Sequence, residues 1–425
     1  MPLFTAPTVG PTTATASLRT GTAKALTQRR LALGWWTALV FPLLATACVR
    51  LGAWGPEPPA PAPAPVATES PDVPRPKGLR PCCAFGDDIG VSVGTMEVPG
   101  LAIGNIVGID GLGAHNFDNG ATPWGTDDRA GLFATETNGL IYTCRGGFID
   151  TAHVRDYADW TLFLATHIEK QLDTGGSIDL GDEGGQRTLT VRPVPLAARR
   201  ARSAREIALR LGQWAAFNLS VWHEIATWYG WSSMSVFPEG ASAFSPEDLY
   251  SNLVGISIAG ESVTAKEITS EGSYNDSVDT AFRTTLQQLG AVEPAATRTA
   301  LGLLDGVWWD SRQHLPAEEL VIRRNPDVGP VITPWRVVAS RRTRAAGLPC
   351  ASSIRPRTYP NPDRLGDLRF AQYVTLAIQP TEKLSEHFPF PRPGDLTITP
   401  ADYPHVLADV RRQLIERFGR GADRP

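Results

Sequence analysis

The sequence predicts an α+β fold, with a helical core of about four helices, small flanking β-sheets and a mixed C-terminal region. Three observations carry that expectation. Apolar residues recur three and four apart in four long segments between residues 148 and 289, the period of a helix with one buried face. Short alternating stretches bounded by Gly and Pro lie before and after those segments, as small strands and turns do. With 425 residues, 42% of them hydrophobic, and no unit repeating at a fixed period, the chain has ample material for a core and no solenoid pattern.

In chain order, Ile89–Val98 and Leu101–Ile109 read as short strands broken at Pro99-Gly100. Residues 110–138, rich in Gly, Asn and Asp, read as a loop, and Leu140–Cys144 as a strand ended by Arg145-Gly146-Gly147. Phe148–Leu172 is expected as the first helix, with Ile149, His153, Asp156, Trp160, Phe163 and His167 on one stripe. Residues 174–194 read as a hairpin whose turn, Asp182-Glu183-Gly184-Gly185, is solvent-facing. Ala204–Trp231 would make a helix about 40 Å long, burying Ile207, Leu211, Trp214, Val221, Ile225 and Trp228. Ser245-Pro246-Glu247-Asp248 opens a third helix to about Glu261, with an N-cap, a Pro at the first position and acids in the first turn. Asp276–Leu289 supplies a fourth.

Beyond Glu293 a short helix to Leu304, the Trp308-Trp309 pair, strands at Val331–Ala339 and Arg369–Ile378, and a final helix after Asp402 are expected. The body thus divides into an α+β core, residues 81–290, and a mixed α/β region, residues 291–425, packed on it.

The front of the chain reads as an address. Arg19, Lys24, Arg29 and Arg30 precede Leu31–Ala47, which carries no charge and ends Leu44-Ala45-Thr46-Ala47 before Cys48. A basic region, an apolar stretch and small residues make an export signal, residues 1–47. Cys48 stands where lipoprotein processing attaches its acyl chains; an uncleaved anchor and plain secretion are the alternatives. Residues 48–80 form a lipid-anchored Pro-rich linker, favouring extended polyproline II. In every case the body faces away from the cytoplasm, towards the periplasm or the cell exterior, and in the favoured lipoprotein reading its lipid holds it to a membrane. Without residues 1–47 the chain has 36 basic against 44 acidic residues, a net charge of −8. A phosphate backbone is repelled by such a body, which excludes nucleic acid as partner.

Cys82, Cys83, Cys144 and Cys350 are disulfide candidates in an oxidising compartment. Neighbouring cysteines pair poorly with one another, so Cys82 and Cys83 are expected to seek Cys144 or Cys350, or one to stay free. A nucleophilic Cys144 is the less favoured alternative.

Chemistry gathers on the first three helices. Ser220–Trp231 contains His223-Glu224, which resembles the zinc-protease helix His-Glu-x-x-His, but Thr227 stands where the second His belongs. A metal could instead be shared between helices. His153 and Asp156 share a face of the first, His223 comes from the second, and Glu247, Asp248 or Asn252 from the third. Asp248 also serves as capping-box partner of Ser245. The expected site therefore has His153, Asp156, His223 and Glu247 as ligands of zinc or another divalent metal, with Glu224 as base.

The segments Pro81-Cys-Cys-Ala-Phe-Gly86, Tyr142–Asp150 with His153-Val-Arg-Asp156, Val221–Gly230 and Phe244–Asn252 together resemble a bacterial envelope family known as a domain of unknown function, often described as lipoproteins. The resemblance covers about residues 80–420. It implies an exported bacterial protein and carries over no catalytic residues. Two function classes follow: a metal-dependent or acid–base hydrolase acting on an envelope substrate such as peptidoglycan, glycan or lipid, and a non-catalytic structural or scaffold lipoprotein.

Overall fold

Two hairpins precede the first long helix. β1 (Ile89–Val93) pairs antiparallel with β2 (Met96–Ile103), and β3 (Leu140–Thr143) with β4 (Gly147–Asp150). The computed structural model describes residues 71–425 apart from 78, 81–83, 95, 119–135, 201, 234–238, 266–267, 338–342, 344–345, 351–352 and 391–395. The expected export signal, Cys48, the first part of the linker, Cys82 and Cys83 lie outside the described residues. No described helix is long and apolar enough to cross a membrane.

Pro99-Gly100 does not end a strand, because it falls opposite the irregularity between Gly90 and Ser92, and a bulge excuses Pro from donating to the ladder. Residues 148–150, expected in the first helix, belong to β4. α1 (Thr151–Gln171) begins only after Asp150, which stays extended and accepts from the backbone N–H groups of Ala152 and His153.

Then follow β5 (Gly176–Asp182), β6 (Gly185–Val191), α2 (Leu196–Arg199), α3 (Ala204–Trp228), α4 (Asp248–Ala265), α5 (Glu271–Leu289) and α6 (Pro294–Leu304). α5 starts five residues earlier than expected, because Ser270 and Ser273 form a reciprocal capping box.

The C-terminal third is sparse in regular structure. β7 (Val331–Ile332) pairs with β8 (Tyr359–Pro360) and β9 (Arg364–Leu365) with β10 (Leu368–Arg369). β11 (Val374–Pro380), α7 (Glu382–Ser385) and α8 (Tyr403–Phe418) follow. The strand expected at Val331–Ala339 is only two residues long, and the one expected from Arg369 begins at Val374, after a 3-10 turn over Phe370–Gln372. β11 joins β6 and β5 in an antiparallel sheet of order β11-β6-β5. The fold is α+β.

α1, α3 and α4 form the centre. α1 is buried on every side from Thr151 to Thr166, although it carries Arg155, Asp156 and Asp159. Groups like these need partners when taken out of water. Arg155 donates to the carbonyls of Leu112 and Gly113. Asp156 and Asp159 accept from Arg80.

Arg80 is a reason the expected linker does not reach residue 80 as a spacer. Its guanidinium also pairs with Glu136, Val73 is buried, and Asp72 and Arg75 pair with Lys170 and Asp179. Asp72, Val73, Arg75 and Arg80 strap this segment to the body.

Cys144 and Cys350 form a disulfide, with Cα atoms 5.2 Å apart. Neither therefore bonds to Cys82 or Cys83, contrary to expectation, and a nucleophilic Cys144 is excluded in this oxidised form. Arg336 explains the match: it donates to the carbonyls of both Cys144 and Ile354, holding the Cys350 segment against the end of β3.

Candidate metal centre

Two close helix approaches bring distant polar groups together. A Cβ on Gly212 of α3 would lie 2.9 Å from the Ala165 nitrogen of α1, and one on Gly255 of α4 only 2.0 Å from the Val154 carbonyl oxygen. Glycine interrupts these helices because nothing larger fits. Asp248, Asn252 and Gly255, four and then three residues apart, lie on one stripe of α4. Docking Gly255 beside Val154 therefore turns Asp248 and Asn252 towards His153 in the first turn of α1. α3 runs antiparallel to α1, so the Gly212–Ala165 contact near one end places His223 and Glu224 near His153 at the other.

His153, Glu224 and Asp248 each bring a ligand atom to within 4.8 Å of the other two, and all three are buried. His153 Nδ1 lies 2.9 Å from Asn252 Oδ1. With that oxygen as acceptor, Nδ1 carries the proton and Nε2 presents its lone pair. Nε2 is 3.5 Å from Asp248 Oδ1, close to the roughly 3.3 Å separating two donors on one tetrahedral zinc ion. Glu224 Oε2 accepts from the Phe244 backbone N–H at 2.6 Å. Glu224 Oε1 and Asp248 Oδ1 have no hydrogen-bond partner although both are sealed from solvent. Buried, unsatisfied carboxylate oxygens are costly, and here they sit beside a directed imidazole. Burial, then the charges of Glu224, Glu247 and Asp150, push the Asp248 carboxyl well above its usual range. A cation would relieve all of these at once.

The loop carrying Phe244 is held in place. Phe244 takes a left-handed φ of 56°, strained for a bulky residue. Fully buried Arg324 donates to the carbonyls of Ala241, Ala243 and Glu318. Burial lowers its pKa to about 10, so it stays charged at neutral pH.

Residues 70–338 match a family described as a protein of unknown function, DUF4056. The chain belongs to the DUF4056 family. No curated protein and no solved structure matches the chain. His153, Glu224, Asp248, Asn252 and Arg324 all lie inside the DUF4056 segment, whereas Cys350, β11 and α8 lie beyond it.

Of the residues singled out by sequence, the DUF4056 segment brings His153 and His223 close, with ring centroids 6.1 Å apart. Their roles differ from expectation. His223 is not among the three converging donors; its Nδ1 instead lies 2.6 Å from Glu183 Oε1. Glu183 is gripped in turn by Arg187. Glu224, expected as the base, stands among the donors. Asp156, expected as a ligand, faces away onto Arg80, which takes it out of the site. Glu247 is buried near the centre but outside the three-donor set.

Sequence reasoning offered Asp248 beside Glu247 and Asn252 but settled on Glu247, because a capping pattern already explained Asp248. The Asp248 backbone N–H does bond the Ser245 carbonyl, but the Ser245 hydroxyl has no partner. Glu183 was missed because a Gly-flanked acidic turn reads as exposed. The turn instead packs on α3, where Trp222 Nε1 donates to the Glu183 carbonyl. Arg324 carries no pattern of its own in the sequence.

Proposed function

We propose that this protein is an exported, lipid-anchored, divalent-metal-dependent hydrolase acting on an envelope substrate: peptidoglycan, glycan or lipid. One observation carries the chemistry: His153, Glu224 and Asp248 converge within 4.8 Å while Glu224 Oε1 and Asp248 Oδ1 lack any hydrogen-bond partner. One imidazole and two carboxylates are a donor set suited to zinc and other divalent ions. A cation there would acidify a coordinated water by many pKa units and stabilise charge developing on the substrate.

His223 supplies what the ligands cannot. Glu183 accepts at Nδ1 and fixes the ring, leaving Nε2 to take a proton from the attacking water, as an imidazole oriented by a carboxylate does. His153 and His223 keep slight exposure while Asp248 and Glu224 keep almost none, so the imidazole side is the face a substrate would approach. Trp231 lies edge-on to His223 there.

Support for export comes from the order of residues 19–48 and from the Cys144–Cys350 disulfide, a bond at home in oxidising compartments. The lipid would be carried by Cys48.

The second reading is a non-catalytic scaffold lipoprotein in which a cation only cross-links α1, α3 and α4. The burial of all three donors favours it.

The test uses the full-length chain purified in detergent. Metal analysis should find a stoichiometric divalent ion, lost in His153→Ala and Asp248→Asn. Re-adding the ion at about a hundredfold over its Kd should stabilise the stripped protein by about 2.7 kcal/mol. Sacculi, phospholipid vesicles and chromogenic esters then assay hydrolysis. Turnover lost in His223→Ala with metal retained supports the hydrolase. Metal without turnover on any of these supports the scaffold, and no metal at all defeats both forms of the metal reading.

A further inference from the structure

The first hairpin carries an apolar face that is left bare. Val93, Met96, Leu101 and Ile103 are exposed, Val93 by 66% and Met96 by 73%. Val93 pairs with Met96 and Ile103 with Ile89, and directly paired residues project to the same side of a sheet. Ile89, Val91 and Val93 alternate along β1, as Leu101 and Ile103 do along β2, so all of them share that side. Its inner end is core, since Ile89 and Val91 are buried. The opposite side is covered: the His314 ring crowds Gly90, and its Nδ1 lies 3.4 Å from Oε1 of Glu97, the partner of Ser92. The hairpin is therefore amphipathic. Its turns stand clear of the body, because a Cβ on Gly94 or Gly100 would meet nothing within 4 Å.

The occupant follows from what the hairpin lacks. A stable pair of copies buries about 800 Å² on each partner, well beyond what four partly exposed side chains offer. Strand addition is blocked as well. One edge of β1 is closed by Leu315, which exchanges backbone hydrogen bonds with Gly90 and Ser92. The outer edge of β2 carries Pro99 within an irregular register, and such features blunt an edge against pairing. Glu97 is the one charged residue from Ile89 to Ile109, so the apolar side has no charge with which to select a protein or an anionic headgroup. A bilayer asks for neither: shallow insertion at its interface scales with apolar area.

Tether geometry brings the face within reach. Asp72 pairs with Lys170 in the last turn of α1, and Arg80 with Asp156 near its start. The chain thus enters the body at one end of α1 and runs about 21 Å back along it before β1. Residues 49–71, between Cys48 and that entry, extend to about 70 Å as polyproline II. A leash of that length holds the body at a membrane without choosing which side faces it, and it keeps the local concentration of lipid high. A small apolar patch then suffices to set the orientation.

We propose that the β1–β2 hairpin is a second membrane contact, inserting Val93, Met96, Leu101 and Ile103 into the interfacial layer of a phospholipid bilayer. This contact rests on the lipid-anchor reading of Cys48 and is independent of the metal.

The experiment uses the full-length lipidated chain, grown with the diazirine analogue of methionine and reconstituted into phosphatidylcholine vesicles. Of the three Met positions, 1, 96 and 234, Met96 lies on the apolar face. Illumination should yield phospholipid adducts on the Met96 peptide in a mass-spectrometric map, at a level unchanged when anionic lipid is added. Val93→Glu should lose those adducts severalfold while sedimenting with the vesicles as before. Should that variant fail to fold, the wild-type adducts alone decide. Vesicle retention without phospholipid adducts at Met96, or a cross-link from Met96 to a second chain, overturns the hairpin contact and leaves the anchor reading standing. A Cys48 that carries no lipid by mass spectrometry overturns both.

Discussion

Gly255 stands against Val154 with no room for a side chain: a methyl group on it would sit 2.0 Å from the Val154 carbonyl oxygen. That contact sets the separation of α4 from α1, and with it the reach from Asp248 to His153. Alanine would gain about 1 kcal/mol in helix propensity. Overpacking should outweigh it, so Gly255→Ala is expected to destabilise the protein by about 1–3 kcal/mol in urea unfolding. Metal affinity should fall at the same time. A variant as stable as wild type, with unaltered affinity, would show that the approach does not position the centre.

Asn252 touches no metal in the proposed arrangement, yet it decides which imidazole nitrogen of His153 carries the proton. Asn252→Ala should weaken zinc binding by roughly 10–100-fold in a chelator competition, with circular dichroism unchanged. Equal affinities would place His153 outside the ligand set.

Stability should depend on pH through a second polar cluster. His115 Nε2 lies 3.0 Å from Asp159 Oδ1, and Nδ1 3.3 Å from Glu136 Oε1. Burial works against the charged ring, but these carboxylates outweigh both it and the opposing Arg80 charge, so the pKa stands above its ordinary value. A raised pKa favours the folded state fully below about pH 6.5, and that contribution drains away as pH climbs through the folded-state value. Asp156, which burial pushes up to about 7, acts with the same sign from about pH 4 to its own titration. Urea midpoints measured from pH 6 to 9 should fall for wild type and fall less for His115→Gln. Parallel curves would contradict the assignment.

The Cys144–Cys350 bond spans 206 residues of sequence. Loop entropy puts its worth near 5 kcal/mol, and native disulfides commonly deliver about 2–5 kcal/mol. Reduction should lower the unfolding free energy by that order, and alkylation of the unreduced native chain should spare both sulfurs in a mass-spectrometric peptide map. Labelling of Cys144 without reductant would refute the pairing.

The helices were legible where burial is one-sided. The stripe through Ile207, Leu211 and Trp214 announced α3, and Ser245-Pro246 announced the start of α4 close to its true position. The pairing of His153 with His223 could be anticipated from two helices alone. The division of labour between them could not, because it depends on partners that only tertiary packing supplies. Glu183 reaches His223 from a hairpin 40 residues earlier, and Arg80 claims Asp156 from 76 residues away. Local pattern misplaced the start of α1 for a related reason: Phe148 and Ile149 suit a helix stripe and a strand face equally, and pairing with Tyr142 and Ile141 settles the choice. Long-range ion pairs leave no periodicity behind.

The strand furthest along the chain has a practical consequence. β11 supplies one neighbour of β6, yet it begins 36 residues after the DUF4056 match ends. A recombinant fragment trimmed to that match would keep His153, Glu224 and Asp248, while leaving a row of backbone donors and acceptors on β6 unsealed. Bare rows of that kind recruit a second polypeptide, so such a fragment would come off a sizing column as oligomers, and its assays would report on an artefact of where the gene was cut.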